Sequence, residues 1–233
     1  MFNEEIRTML ENFLRERIED SFDSYKCYNW YVDRYDDCGE EDYSDVRSLC
    51  HADRYNNGVT KIVLFYDDLN DWVIKIPILG NYIEEDDEYC DFCNSGTNGD
   101  NDYCLTETEY CEDAVKFGIG DLFAKTYYVC NINGVNFYCS ERINKTYCDI
   151  RHLACYVHPE SYTRAQTLKS SYGYDCYLET KELGFFVDGY GELAAEKLIQ
   201  FLQDWEIEDL HHGNLGFDKD GYIKIIDCAG WRD

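Results

Sequence analysis

The sequence predicts an α+β fold, and three observations predict it. Runs of β-branched and aromatic residues at 59–65 and 72–77 flank a polar turn, the pattern of a β-hairpin. A second pair of runs, 124–130 and 135–143, is joined by Asn131-Ile132-Asn133-Gly134, and Asn-Gly is a strong hairpin signal. Apolar residues recur at helical spacing over 3–22 and 192–206. The 233 residues suit one large domain or two small lobes, and 45% hydrophobic and 16% aromatic residues suffice to bury a core.

The elements follow in order. Asn3 stands at an N-cap position, and Ile6, Met9, Leu10, Phe13, Leu14 and Ile18 form one apolar stripe of a helix expected to dock on the core. Residues 1–57 as a whole form an aromatic and acidic lead-in, with turn signals at Asp37-Cys38-Gly39 and Asn56-Asn57-Gly58. The hairpin comes next, with the polar turn at Tyr66 to Asp71 and Lys75 inside an otherwise apolar strand ended by Pro77. No Lys or Arg occurs from Ile76 to Val115, and Glu84 to Asp113 carries twelve acids. About 84–105 reads as an acidic surface insertion, followed by a helix from Thr106 to Phe117 stopped by Gly118. The second hairpin closes the segment 58–143. In 144–233, Tyr147 to Val157 reads as a helix, and the Tyr- and Ser-rich residues to 190 read as loops. A helix from Glu192 to Glu206 and a short hairpin around Asp218-Lys219-Asp220-Gly221 complete the chain.

Charge narrows the function classes. With 48 acids against 21 bases the net charge is -27, which argues against direct nucleic-acid binding through phosphates. It would suit an acidic surface that imitates a nucleic acid in a basic groove. No stretch has the length and apolarity of a membrane span, and the N-terminus lacks a signal-peptide pattern. The expected location is the cytoplasm (of a bacterial host, if the chain is phage-encoded), where the 13 Cys would stay reduced. Cys90-x-x-Cys93 with Cys104 and Cys111 has only one metal-like pair, so free thiols are expected over a zinc site. His211 and His212 are expected to shape a loop rather than bind metal.

The segments Val73-Ile74-Lys75-Ile76-Pro77, Asp209-Leu210-His211-His212-Gly213-Asn214 and Ile225-Ile226-Asp227-Cys228-Ala229-Gly230 carry a resemblance. Together with the order of hairpin, helix, hairpin and helices, this resembles the protein-kinase-like fold, with a catalytic loop similar to that of aminoglycoside and choline kinases. Small bacterial and phage kinase-like proteins with a similar Lys-bearing strand are further look-alikes. The resemblance covers about 58–230. It implies an antiparallel-sheet N-lobe and a short helical C-lobe, truncated just after the metal-binding Asp.

The resemblance also implies roles. Lys75 would hold the nucleotide phosphates and pair with a helix carboxylate, Glu109 by spacing, with Glu112 as the alternative. Asp209 would act on the acceptor hydroxyl. Asn214 and Asp227 would bind Mg²⁺ through hard oxygens. Glu141-Arg142-Ile143 falls where a hinge would meet adenine. The glycine-rich phosphate loop is reduced to Gly58, with Thr60 and Lys61 as substitute contacts. No peptide-binding platform follows Asp227. The expected function is therefore an Mg-ATP-binding, kinase-like protein, a minimal phosphotransferase on a small molecule or bound partner if catalysis survives. The competing expectation is a non-catalytic acidic inhibitor of anti-restriction or anti-CRISPR type, docked on a basic nucleic-acid-handling protein.

Overall fold

Asn3 starts the first helix as its side chain suggests: its Oδ1 accepts the Ile6 N–H at 2.9 Å, and helix α1 runs from Glu4 to Arg17. The computed structural model describes residues 2–24, 44–58, 60–78, 102–143, 145–146, 157–172, 178–207, 210 and 212–229. The chain divides into two compact units, Met1–Thr106 with Thr126–Ser140, and Glu107–Lys125 with Glu141–Arg232.

In the first unit, α1 buries Leu10 and Leu14 and carries acids in its first turn and Arg15 and Arg17 in its last, matching the helix dipole. It is shorter than the predicted 3–22. Ile18 is extended, yet Ile18 and Phe22 remain buried, so an apolar period outlived the helix that suggested it. The lead-in contains α2 (Ser44–Leu49) and β1 (Arg54–Asn57), neither of which was predicted. Asn56 and Asn57, predicted as a turn, are strand residues opposite Val63 and Ile62. The turn falls at Gly58, whose N–H donates to the Lys61 carbonyl at 3.0 Å.

The first predicted hairpin is present as β2 (Lys61–Phe65) and β3 (Trp72–Pro77), antiparallel with Val63 opposite Lys75. Tyr66, expected in the polar turn, is buried and donates its hydroxyl to the Cys50 carbonyl at 2.8 Å. Burial pushes that phenol well above its ordinary pKa. The second hairpin is β4 (Thr126–Ile132) and β5 (Val135–Glu141). Its two-residue turn has φ of 53° at Asn133 and 83° at Gly134, the type I′ geometry that Asn-Gly favours. Asn133 also donates to the carbonyls of Glu19 at 3.3 Å and Phe22 at 2.8 Å.

The sheet has five strands in the order β1-β2-β3-β5-β4. Its core face carries Ile62, Leu64, Ile74, Ile76, Phe137 and Cys139, packed with Leu10, Leu14 and Phe22 into one apolar cluster. Helix α3 (Tyr103–Phe117) begins three residues before the predicted Thr106. The reason is Asp102, whose Oδ1 accepts the Leu105 N–H at 3.0 Å, while its Oδ2 accepts Tyr138 Oη at 2.5 Å. Gly118, at φ 82°, stops α3 as predicted.

In the second unit, Pro159–Tyr172 and Thr180–Tyr190 are helical where loops were expected. Helices α4 (Pro159–Tyr172), α5 (Thr180–Tyr190) and α6 (Glu192–Asp204) supply Leu168, Leu183, Phe186, Leu198, Phe201 and Leu202 to the core. The predicted helix 147–157 lies outside the described residues except for Val157. A small sheet, ordered β6 (Lys145–Thr146), β7 (Leu215–Phe217), β8 (Ile223–Ile225), completes the unit. The described structure is thus α+β, as predicted. Among the described residues no helix is long and apolar enough to cross a membrane.

Candidate functional site

The sequence candidates fall into two groups, one in each unit. In the first unit, Lys75 belongs to a strand whose residues from 73 onward are all buried, and it is itself only 4% exposed. A lone ammonium there would be costly to desolvate. Its Nζ donates to Thr126 Oγ1 at 3.3 Å. Lys61 is 2% exposed and Thr60 is buried beside it. The Thr60 carbonyl accepts the Ile78 N–H at 2.9 Å, which ties the start of β2 to the end of β3. Gly58 has no left-handed backbone, and a Cβ built there would meet only the Lys61 carbonyl oxygen, at 4.0 Å. Its position therefore admits a side chain, unlike a glycine forced by close approach. Glu141, which ends β5 and belongs to the second unit, is half-buried, as are Arg142 and Ile143 after it.

On α3 the exposure does not follow the predicted spacing. Glu109 and Glu112 are exposed, whereas Glu107 is buried at 1% exposure. Sequence spacing did not single out Glu107. Cys104 and Cys111 on the same helix are buried thiols. Cys90, Cys93 and the acids from Glu84 to Asp91 lie outside the described residues. Among the described residues no three His, Cys, Asp or Glu side chains gather as a metal cage.

The second group is built by the β7–β8 hairpin. A 3₁₀ turn, His212–Asn214, leads directly into β7, and Asn214 is buried. Leu215 pairs with Ile225 and Phe217 with Ile223. The turn between them is held by Asp218, whose Oδ1 accepts the N–H groups of Asp220 and Tyr222, both at 2.9 Å, and by Gly221 at φ 85°. The ladder then closes one step further, with the Ile226 N–H donating to the Asn214 carbonyl at 2.8 Å. Asn214 and Asp227, thirteen positions apart in the sequence, so come to the same end of the hairpin. Asp227 is half-buried, and its Oδ1 accepts the Ala229 N–H at 3.3 Å.

Other groups of the second unit hold this hairpin. Ala124 N–H donates to the Ile225 carbonyl at 2.8 Å, and Phe123 bridges Ile225 in parallel. Lys224 Nζ donates to the Asp121 carbonyl at 2.5 Å and lies 3.7 Å from Asp218 Oδ2. Tyr190 donates its hydroxyl to the Ile223 carbonyl at 2.9 Å, and burial first, then nearby acids, push its phenol up. Asp209 and His211 lie outside the described residues. His212, one residue into the 3₁₀ turn, is exposed.

Chemically, the two groups differ. The first offers an ammonium and hydroxyls, which suit phosphate oxygens. The second offers an amide and a carboxylate, hard oxygen donors of the kind Mg²⁺ takes one or two at a time, its remaining ligands being waters and phosphates. Compared with known proteins, the chain matches no family model and no curated protein. The resemblance to kinase-like proteins therefore rests on the residues themselves.

Proposed function

We propose that this chain is a kinase-like protein that binds Mg-ATP. One observation carries the reading: the hydrogen bond from Ile226 to Asn214 that brings Asn214 and Asp227 to one hairpin end. A turn with side-chain caps needs no such convergence of an amide and a carboxylate on a buried strand pair. The order of three strands, a helix and two strands in 54–141 and the burial of Lys75 support the same reading.

In it, Asn214 and Asp227 hold the divalent ion, which when bound neutralises phosphate charge. Lys75 binds the α- and β-phosphates, and Asp209 orients the acceptor hydroxyl and takes its proton. Gly58, Thr60 and Lys61 lie along the triphosphate, and Glu141 at the adenine edge. Glu109, the helix carboxylate expected to support Lys75, is exposed, and an exposed carboxylate gains little from pairing in water. The acceptor is a small molecule or a bound partner.

Calorimetry with Mg-ATP on the full chain tests the proposal. Binding is expected with Mg²⁺ or Mn²⁺, weakened about 10- to 100-fold by Asn214→Ala or Asp227→Asn, the scale on which metal-site substitutions act. Absence of binding, or binding indifferent to both variants, ends it.

The net charge of -27 favours a second reading, a non-catalytic acidic inhibitor of a basic nucleic-acid-handling protein. In a cellular assay the enzyme reading expects Asp209→Asn to remove the effect. The inhibitor reading expects neutralising Glu84, Glu85, Asp86 and Asp87, or raising salt, to do so.

A further inference from the structure

Helix α1 turns Leu10 and Leu14 to the core. Its other side borders a shallow, open concavity of about 650 Å³. Met9 lies there, a large apolar side chain that is 45% exposed, next to the half-buried ring of Phe13. Thr8 and Asn12 add uncharged polar groups. Glu4, Glu5 and Glu16 line the same surface, and no base does. The arginines of the helix are committed elsewhere. Arg7 pairs with Glu4 at 2.6 Å, Arg15 with Glu11 at 2.8 Å and Arg17 with Asp68 at 2.7 Å. Among the described residues Glu5 and Glu16 make no ion pair. The sequence dictates this, because side chains meet on a helix at three and four positions apart. Around Glu5 those positions hold Met1, Phe2, Thr8 and Met9, none of them basic. Glu16 has Asn12 and Phe13 before it and the end of the helix after it. In a chain at -27 an exposed acid alone says little, but two unpaired acids framing an exposed methionine form a definite pattern. From residue 5 to residue 16 the helix rises about 16 Å and makes about three full turns, so both acids point the same way.

We infer that this face of α1 docks a basic amphipathic helix of a partner protein, whose apolar side chains cover Met9 and whose Lys or Arg side chains reach Glu5 and Glu16. The inference goes beyond the Mg-ATP reading and uses none of its residues. Charge complementarity selects the occupant. A second copy of this chain brings another -27, and nucleic acids and anionic lipid surfaces are negative too, so all three meet repulsion. A purely apolar segment would leave both carboxylates beside it without a partner. Methionine suits the contact, because its unbranched thioether adapts to the side chain laid on it. The rim already holds a cation on an aromatic ring. The Arg17 guanidinium lies 3.7 Å from the centroid of Phe13, with its charge taken up by Asp68.

The test uses the full chain and a synthetic alanine-based helical peptide of about 15 residues, with two Lys about eleven positions apart and two Leu between them on the same face. A scrambled peptide of the same composition is the comparison. Fluorescence anisotropy is expected to show the ordered peptide binding at least about tenfold more tightly than the scrambled one. Met9→Lys sets a cation against the basic probe and is expected to weaken binding about 10- to 100-fold, as like charges in an interface do. Glu5→Gln with Glu16→Gln is expected to weaken it about 3- to 10-fold, the scale of two exposed charge pairs, and to remove most of its salt dependence. Glu160→Gln with Glu206→Gln makes the same change in net charge on exposed acids of the second unit and is expected to leave binding unchanged. All substituted positions are exposed, and the two peptides on wild type decide the matter even where a variant fails to fold. Equal weakening by the two double variants overturns the inference, since the acids would then act only through net charge. Scrambled peptide bound as tightly as ordered overturns it, and so does Met9→Lys that binds like wild type. Ordered peptide that fails to bind, with Mg-ATP bound normally, ends this inference and leaves the Mg-ATP reading standing. Peptide binding with the expected variant pattern, in a chain that does not bind Mg-ATP, supports this inference and ends that reading.

Discussion

The two units bury polar groups of opposite character. Among the described residues, the first encloses Lys61 and Lys75 with hydroxyls, and the second encloses Glu107, Glu182 and Asn214. Each has an ordinary apolar core besides, so the difference is not one of hydrophobicity. It lies in the sign and chemistry of the groups that each interior encloses. A chain at -27 has acids to spare everywhere on its surface, so sign is informative mainly where water is excluded.

The largest expected effect tests whether both units rest on cores of equal weight. Phe137→Ala on the first unit's sheet and Phe201→Ala on α6 should each cost about 3–5 kcal/mol, because both rings are fully buried. Urea unfolding checks this, and a cost below about 1 kcal/mol in either variant would mean that unit lacks the packing described here. A smaller effect compares the two hairpin turns. Gly134 and Gly221 have φ of 83° and 85°, so Gly134→Ala and Gly221→Ala should each cost about 1 kcal/mol, the left-handed penalty of a Cβ. The same denaturant curves read it, and a neutral result at one site would break the parallel between the turns.

The smallest effect concerns the sign of buried charge. Burial, with Glu179 adding to it, raises the Glu182 carboxyl above its ordinary value of 4.5, against the opposing hydrogen bond from the Glu179 N–H. The folded state thus holds this proton more tightly than the unfolded chain. The stability from it is full below pH 4.5 and is lost as pH rises through the folded value. Glu182→Gln removes the titration and can still accept the Glu179 N–H, which Glu182 now does at 2.8 Å. Its stability relative to wild type should therefore improve as pH rises from 4 to 7, by about 1 kcal/mol or less, the scale of a single group. Parallel melts across that range check it, and a difference that is flat or falls with pH would remove Glu182 from the buried acids.

The first unit was easier to read from sequence. Its hairpins announce themselves by β-branched runs and by Asn133-Gly134, signals that depend on neighbours within a few residues. β1 was hidden because Arg54-Tyr55-Asn56-Asn57 has turn composition, and only pairing with β2 makes it a strand. In the second unit α6 has a clear apolar stripe, but α4 has only Ala165 and Leu168 buried among Ser and Thr. Those hydroxyls read as loop. In the structure Thr163, Thr167, Ser170 and Ser171 donate to carbonyls four residues back, at 2.8–3.0 Å, and so satisfy themselves within the helix. One sequence signal was available: Pro159 suits the first turn of a helix. Of the candidate site, Lys75, Asn214 and Asp227 could be named from motif spacing. The burial of Glu107 could not be named, because spacing along α3 does not tell which side of the helix is covered. Thr126 carries no motif at all.

The six described cysteines, Cys50, Cys104, Cys111, Cys130, Cys139 and Cys228, are all buried thiols. Burial pushes Cys130 up to about 11 and raises Cys139 as well. A thiol reacts as its thiolate, so at neutral pH these sulfurs stay silent toward alkylating reagents until the chain around them opens. The protein thus carries built-in clocks. Cys130 and Cys139 sit in the first unit's sheet, and Cys111 and Cys228 in the second unit. Under dilute denaturant, mass spectrometry of alkylated peptides would time the opening of each region separately, with no label or substitution added to the chain.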